Sequence, residues 1–277
     1  MIAECPATFN GVDTRVLSVP GDGAAVVLLH GYADSADTWR AVLACLGEQG
    51  RRAVAVDLPG FGRAGPRDPG PLLPQFDAFV DSLLEETGPA LLVGNSLGAA
   101  TAVRAADRRP QLVRGLVAID DPVNARHWLA RLARYGDIPA RVWQEVARVP
   151  VPSRVLQWVA ARALRQVLYG PGATSDPEVL AYWTQLLASG SELAHLGRYA
   201  LQYARETTAG HQGVCVSCPT VVVHGAKDRI IPVHASRRLH RQIPGSELVI
   251  LPRSGHCPQL DDPETVARLV VGLEGVR

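Results

Sequence analysis

The chain has 277 residues, 47% of them hydrophobic and 20% charged, which is enough apolar material for one large core with an insertion and excludes an intrinsically disordered protein. A net charge of +1 supplies no long-range field that would recruit nucleic acid or an anionic membrane surface. The opening Met1-Ile-Ala-Glu-Cys-Pro is neither basic nor strongly apolar, and no later apolar run approaches the ~20 residues that span a bilayer, so a cytoplasmic location without a membrane span is expected.

In chain order, short apolar runs bounded by turn residues alternate with stretches of helical periodicity. A strand is expected at 24–30, a helix at 38–48, a strand at 53–57, a helix at 76–86, a strand at 90–94, a helix at 97–108 and a strand at 115–119. From Pro122 to about Gly213 no clear strand is legible, and helical patterns cover 127–134, 151–168 and 177–188. Ser175 or Asp176 ahead of Pro177 and Glu178 supplies a helix start there, and Gly170-Pro-Gly a stop before it. The alternation then resumes with a strand at 220–224, a helix at 234–242, a strand at 247–251 and a helix at 263–273. This order predicts an α/β fold with a mostly parallel sheet flanked by helices, a core of residues 1–121 and 214–277, and an all-helical cap inserted at 122–213. Because the insertion follows the carboxyl end of a strand, it lies on the side where open parallel sheets bind ligands.

Cys5, Cys45, Cys215, Cys218 and Cys257 are odd in number and scattered, which points to reduced thiols. Cys215-Val-Ser-Cys218 has no second Cys or His pair at zinc-site distance, and His127, His195, His211, His234 and His240 form no ligand spacing. No metal site is expected.

Gly94-Asn95-Ser96-Leu97-Gly98 fits G-x-S-x-G, with Leu91-Leu-Val before it reading as strand and Leu97-Gly-Ala-Ala-Thr-Ala-Val after it as helix. Glycines at both ends allow a sharp turn that exposes the serine on strained backbone. The Leu97 N–H then sits at a helix start, where the dipole favours negative charge, and forms half of an oxyanion hole. The other half is expected from the loop after the strand ending at His30, where Gly31 permits close approach and Tyr32 can turn its N–H inward. A serine hydroxyl is too weakly acidic to attack unaided, so a histidine must take its proton and a carboxylate must fix that histidine. His256, just past the strand ending at Leu251, and Asp228, just past the preceding strand, have the required positions.

With these motifs in place the chain resembles the α/β-hydrolase family over nearly its whole length, in the order Ser96, Asp228, His256. His30-Gly-Tyr-Ala-Asp with Trp39 looks like the family's oxyanion loop, Asp57-Leu-Pro-Gly-Phe-Gly like its usual next turn, and the insertion like its lid. The resemblance implies a hydrolase without cofactors. Some relatives place the acid after the strand before the lid, where Asp120 and Asp121 stand, so that alternative stays open. A serine at the turn disfavours, by the same resemblance, the epoxide hydrolase and haloalkane dehalogenase branches, whose nucleophile is a carboxylate.

His30 and His224 each end a strand before Gly and read as structural hydrogen-bonding groups. In the insertion, Trp128, Trp158 and Trp183 are candidate walls of a substrate pocket. Arg154, Arg162 and Arg165 share a helical face with Trp158, opposite an apolar stripe of Val155, Leu156, Val159, Ala163 and Val167. That face reads as solvated, with an anion-binding surface as the alternative.

The expected function is hydrolysis of a small-molecule carboxylic ester with an apolar portion, through an acyl-enzyme. On the same residues the alternatives are a perhydrolase or cofactor-free haloperoxidase, a thioesterase, a lactonase or a carbon–carbon bond hydrolase. From another class stands a ligand-binding receptor with little turnover.

Overall fold

A computed structural model describes residues 1–125, 138–149, 153–187 and 189–273. The expected helix at 127–134 and Trp128 lie outside them. Eight strands form one sheet: β1 (Ala3–Phe9), β2 (Val12–Val19), β3 (Asp22–Leu29), β4 (Arg51–Val56), β5 (Ala90–Asn95), β6 (Val113–Ile119), β7 (Thr220–Gly225) and β8 (Glu247–Leu251). Their spatial order is β1-β2-β4-β3-β5-β6-β7-β8. β1 pairs antiparallel with β2 and β2 antiparallel with β4, whereas β4 through β8 run parallel.

The six strands read from the sequence are all present. The antiparallel pair β1–β2 was not expected, because β1 is mostly exposed and Ala3-Glu-Cys-Pro-Ala-Thr-Phe shows no apolar alternation to read.

Helices follow as α1 (Arg40–Glu48), led in by a 3₁₀ turn at Ala36–Trp39, α2 (Leu72–Thr87) and α3 (Leu97–Arg108). Between β6 and β7 lie α4 (Ala140–Arg148), α5 (Ser153–Leu168), α6 (Pro177–Leu186) and α7 (Gly190–Glu206). After β7 come α8 (His234–Gln242), the single turn α9 (Pro258–Asp261) and α10 (Pro263–Gly272). The Asp176 side chain accepts from the N–H groups of Glu178 and Val179 and so caps α6, the role its place before Pro177 suggests.

Alternation along each buried strand sends side chains to two separate cores. Val27, Leu29, Val56, Leu92, Ala118 and Val222 face the layer of α2, α3 and α8. Val26, Leu28, Ala55, Val93, Val117 and Val223 face α1 and α10. A sheet covered on both faces needs the continuous apolar strands that the sequence supplies.

Of the apolar stripe assigned to α5, the side chains of Val155 and Leu156 lie outside the described ones and Val167 is half-buried. Val159 and Ala163 are exposed, and Leu164 and Leu168, one turn apart, carry the buried side against α6 and Tyr169. α5 rests on one neighbouring helix and therefore buries a narrower strip than a core helix does.

Two tight places fix the strand-to-helix turn after β5. A Cβ at Gly98 would come within 2.2 Å of the Leu29 carbonyl oxygen, and one at Gly94 within 2.2 Å of the Gly98 oxygen. The backbones of β3, β5 and α3 therefore meet with no side chain between them. Gly98→Ala is expected to cost about 2 kcal/mol or more in urea unfolding, since the clash is with backbone and no rotamer relieves it.

The loop after β3 is tied to the inserted helices. Trp183 Nε1 donates to Asp34 Oδ1 at 3.1 Å, Tyr182 Oη to the Asp34 carbonyl at 3.2 Å, and Tyr32 Oη to the Leu196 carbonyl at 2.5 Å. Burial pushes the Asp34 carboxyl up to about 7, against the opposing pull of the Ser35 N–H and the Trp183 and Thr38 side chains. An acid whose folded pKa is raised binds more protons folded than unfolded, so stability falls as pH rises from about 4 to about 7. Asp34→Asn keeps the acceptor and loses the titration. Its stability relative to the parent is expected to grow by on the order of a few kcal/mol between pH 5 and pH 8, read from urea midpoints; a constant difference would refute this account.

Candidate active site

Ser96 joins β5 to α3 with φ 52 and ψ −114, a left-handed conformation that few non-glycine residues hold. The Ser96 N–H donates to the Ile119 carbonyl at 2.8 Å, and its carbonyl accepts from Ala100 at 3.0 Å, so sheet and helix together hold the strained turn. The side chain stands at the carboxyl end of the sheet on a residue only 7% exposed. Leu97 opens α3, which leaves its N–H without an intrahelical acceptor.

The loop after β3 runs beside this turn. A Cβ at Gly31 would lie 3.1 Å from Asn95 Oδ1 and 3.5 Å from Ser96 Cβ, so the Gly31–Tyr32 backbone borders the serine side chain. His30 anchors the loop: its Nε2 accepts from the Leu58 N–H at 2.8 Å, which leaves the proton on Nδ1 to donate to the Gly31 carbonyl at 2.7 Å. Burial lowers its pKa, in keeping with a neutral structural ring. Asp57 anchors the same loop from below. Its carboxylate accepts from Ala36 N–H at 2.7 Å, Arg63 N–H at 2.9 Å and Arg15 Nε at 2.9 Å. Gly62, with φ +57, is needed there because a Cβ would overlap that carboxylate at 2.3 Å.

His256 and Asp228 come from the loops after β8 and β7. His256 Nδ1 donates to Asp228 Oδ2 at 2.7 Å, and Asp228 Oδ1 accepts from Ile230 and Ile231 N–H at 2.7 and 2.9 Å. Asn95 Nδ2 donates to the His256 carbonyl at 2.9 Å and so ties the residue before Ser96 to the histidine's backbone. Asp261 accepts from Gly255 N–H at 2.7 Å and Gly170 N–H at 2.9 Å, and Cys257 N–H donates to the Leu168 carbonyl at 3.1 Å. The histidine's loop is thereby joined to the end of α5.

Of the two acids left open by sequence, Asp121 accepts from His211 Nε2 at 2.9 Å, and Asp120 contacts His224 Nδ1 at 2.7 Å while accepting from Gly225 N–H at 3.1 Å. The imidazole Nδ1 of His256 is on Asp228. Asp120, His224 and Asp228 nonetheless cluster, with their polar atoms within 4.8 Å of one another. Two buried carboxyls side by side cannot both ionise cheaply. Burial, reinforced by the Asp228 charge, drives the Asp120 carboxyl well above the usual range. Burial also acts to raise Asp228, but the His256 charge and hydrogen bond outweigh it and hold Asp228 below its ordinary value. Burial acts to lower His256, and the Asp228 charge and hydrogen bond outweigh that and raise it.

The tryptophans assigned to a pocket wall are distributed differently. Trp183 is buried against Tyr169, with ring centroids 6.2 Å apart, and its N–H is committed to Asp34. Trp158 is 67% exposed and lines an outer cleft of about 470 Å³ with Arg162, Arg165, Tyr169 and Arg229. That cleft includes none of Ser96, Asp228 and His256. Asn95 and Asp34 lie within the Ser96 and His30 motifs, but their bonds to His256 and Trp183, like those of Asp261, join segments remote along the chain and could not be read from the sequence.

All five cysteines are free thiols. Among the described residues no helix is long and apolar enough to cross a membrane.

Comparison with known proteins agrees with this architecture. An esterase of Mycobacterium tuberculosis is 28% identical over 267 residues, covering 93% of this chain and 85% of its own. A pimeloyl-[acyl-carrier protein] methyl ester esterase of Edwardsiella ictaluri is 29% identical over 242 residues, covering 86% and 88%. A thermophilic esterase from Thermogutta terrifontis shares the fold at a TM-score of 0.73 and 24% identity, over 99% of this chain and 98% of that one. The model of the alpha/beta hydrolase family matches residues 26–269, and with the sheet order and the Ser96 turn this establishes the chain as an enzyme of the alpha/beta hydrolase family.

Proposed function

We infer that the enzyme cleaves carboxylic esters through an acyl-enzyme on Ser96. The observation that carries this reading is the 2.7 Å bond from His256 Nδ1 to Asp228, which leaves Nε2 of the same ring as the base, together with a serine held in the left-handed region at the helix start. In acylation His256 Nε2 takes the Ser96 hydroxyl proton as Oγ bonds to the ester carbonyl carbon. The carbonyl oxygen becomes an oxyanion facing the N–H groups of Tyr32 and Leu97. Collapse breaks the bond to the alcohol oxygen, which leaves with the proton from His256. Water then attacks the acyl-enzyme by the same route, His256 taking its proton and returning it to Ser96.

Asp228 holds the ring in the correct tautomer and stabilises the imidazolium that forms, while burial and the Asp228 charge push its neighbour Asp120 towards the neutral form. The helices between β6 and β7 act as a lid, tied to the oxyanion loop through Tyr32, Tyr182 and Trp183. The names carried by the relatives, esterase and methyl ester esterase, describe attack at the same kind of carbonyl and support this reading.

Ser96→Ala is expected to lower kcat on p-nitrophenyl butyrate by at least about 10³-fold and to abolish labelling by a fluorophosphonate probe. A folded parent enzyme that fails to label would favour the receptor reading instead. The kcat/KM profile should fall on the acid side as His256 gains a proton, with the limb above the ordinary histidine value because Asp228 raises it. Asp228→Asn should lose on the order of 10³- to 10⁴-fold in kcat and move that limb to lower pH; a limb that stays in place would remove Asp228 as the orienting acid.

A further inference from the structure

Arg67 lies between the Asp57–Gly62 turn and α2, and it is only 9% exposed. Its Nε and both terminal nitrogens are closed off from solvent and make no well-formed hydrogen bond, the Tyr199 hydroxyl being the side-chain group that acts on them most closely. The faces of the guanidinium are occupied: its central carbon sits 3.4 Å from the ring centroid of Tyr199, 5.2 Å from Phe61 and 5.8 Å from Phe76. Gly60, with φ +77, leaves room for the side chain, since a Cβ there would approach Nε to 2.7 Å.

Stacking engages the two faces of the guanidinium plane, whereas its five N–H bonds lie in the plane and point to the edge. Aromatic contact therefore leaves most of the in-plane donors unmet, and burying a cation with so few partners is costly. The carboxylate whose charge reaches Arg67 from within the protein is Glu206. Both of its oxygens are already committed, to the N–H groups of Leu72 and Leu73 and to the Gln202 amide. The guanidinium edge is thus kept free for an acceptor from outside the chain.

Its position relative to the reacting carbonyl follows from Phe61. That ring packs on Tyr32 at 5.2 Å and on His30 at 6.0 Å, so the Arg67 cluster backs directly onto the loop assigned to the oxyanion hole. On the far side Tyr199, half-buried and 4.3 Å from the exposed His195 ring, separates the guanidinium from solvent along α7.

The geometry points to Arg67 as the recognition group for a carboxylate on the substrate, which makes the preferred substrate an ester that carries a second, anionic end. Planar two-pronged pairing with a carboxylate is the interaction a fixed guanidinium edge provides best. This inference rests on the ester-hydrolase reading above.

The test compares kcat/KM for p-nitrophenyl hemiesters of succinate, glutarate, adipate and suberate with that for neutral p-nitrophenyl alkanoates of equal length. A second arm uses acetate esters of ω-hydroxy acids against acetate esters of the matching alcohols, which separates an anion on the acyl side from one on the alcohol side. The parent enzyme is expected to favour the anionic member of at least one pair by about tenfold or more, mainly through KM. That ratio should collapse in Arg67→Met and be retained in large part in Arg67→Lys, whatever either variant does to the neutral rate. Should Arg67→Met fail to fold, competitive inhibition of neutral-ester cleavage by free adipate or suberate in the parent enzyme serves in its place. Equal ratios in parent and Arg67→Met, or no anionic preference and no competition by the diacids in the parent, would overturn the inference. In either of those cases neutral esters are still cleaved through Ser96, whereas failure of the ester-hydrolase reading would abolish cleavage of both kinds.

Discussion

The contact on which the site depends is one between main chains. At Gly94 and Gly98 the backbones of β5, α3 and β3 approach so closely that a single methyl group has no room, and this close approach forces the chain to reverse within one residue. Ser96 bears the consequence as a φ of 52, strain that costs of order 1–3 kcal/mol and persists because the sheet and α3 hold both of its neighbours. The same approach brings the end of β3, and so Gly31 and Tyr32, beside the serine. The proposed nucleophile and the loop proposed for the oxyanion are therefore positioned by one packing event rather than by two separately tuned loops.

Around that point, buried polar groups hold the loops where the apolar core leaves them free. Asp57 collects donors from three segments, His30 bridges the ends of β3 and β4, and Asp34 reaches the inserted helices. Each is fully or almost fully buried and each is hydrogen-bonded, which is the condition for such groups to order a structure rather than weaken it. Arg67 departs from that pattern, and its departure is what gives it meaning.

The alternation of apolar runs and helical periodicity made the sheet legible. α3 and α8 begin and end where the sequence placed them, because each starts directly after a strand or turn signal. β1 and β2 were hidden because an edge hairpin with one wet strand has no apolar signature. Within the insertion, α4 and α7 leave no clear period, and Val159 and Ala163 of the α5 stripe face outward, because helices that pack mainly on one another bury only a narrow strip. Ser96, Asp228 and His256 could be nominated because the motif around Ser96 and the strand ends before the other two mark them. The roles of Asp34, Asp261 and Arg67 could not, since what distinguishes each one is also a contact with a residue on the inserted helices or their ends, about ninety or more positions away along the chain.

Asp261 gives the molecule a mechanical property. By grasping the amides of both Gly255 and Gly170, it fastens the segment bearing the imidazole to the tail of an inserted helix, and the Cys257 amide bonded to Leu168 adds a second rivet. Any tilt of that helix is thereby handed on to His256, the proposed general base, as a change in its pose. Substitutions near residue 169, remote in sequence from every motif, would then retune the proton-transfer step without touching a single group that reacts.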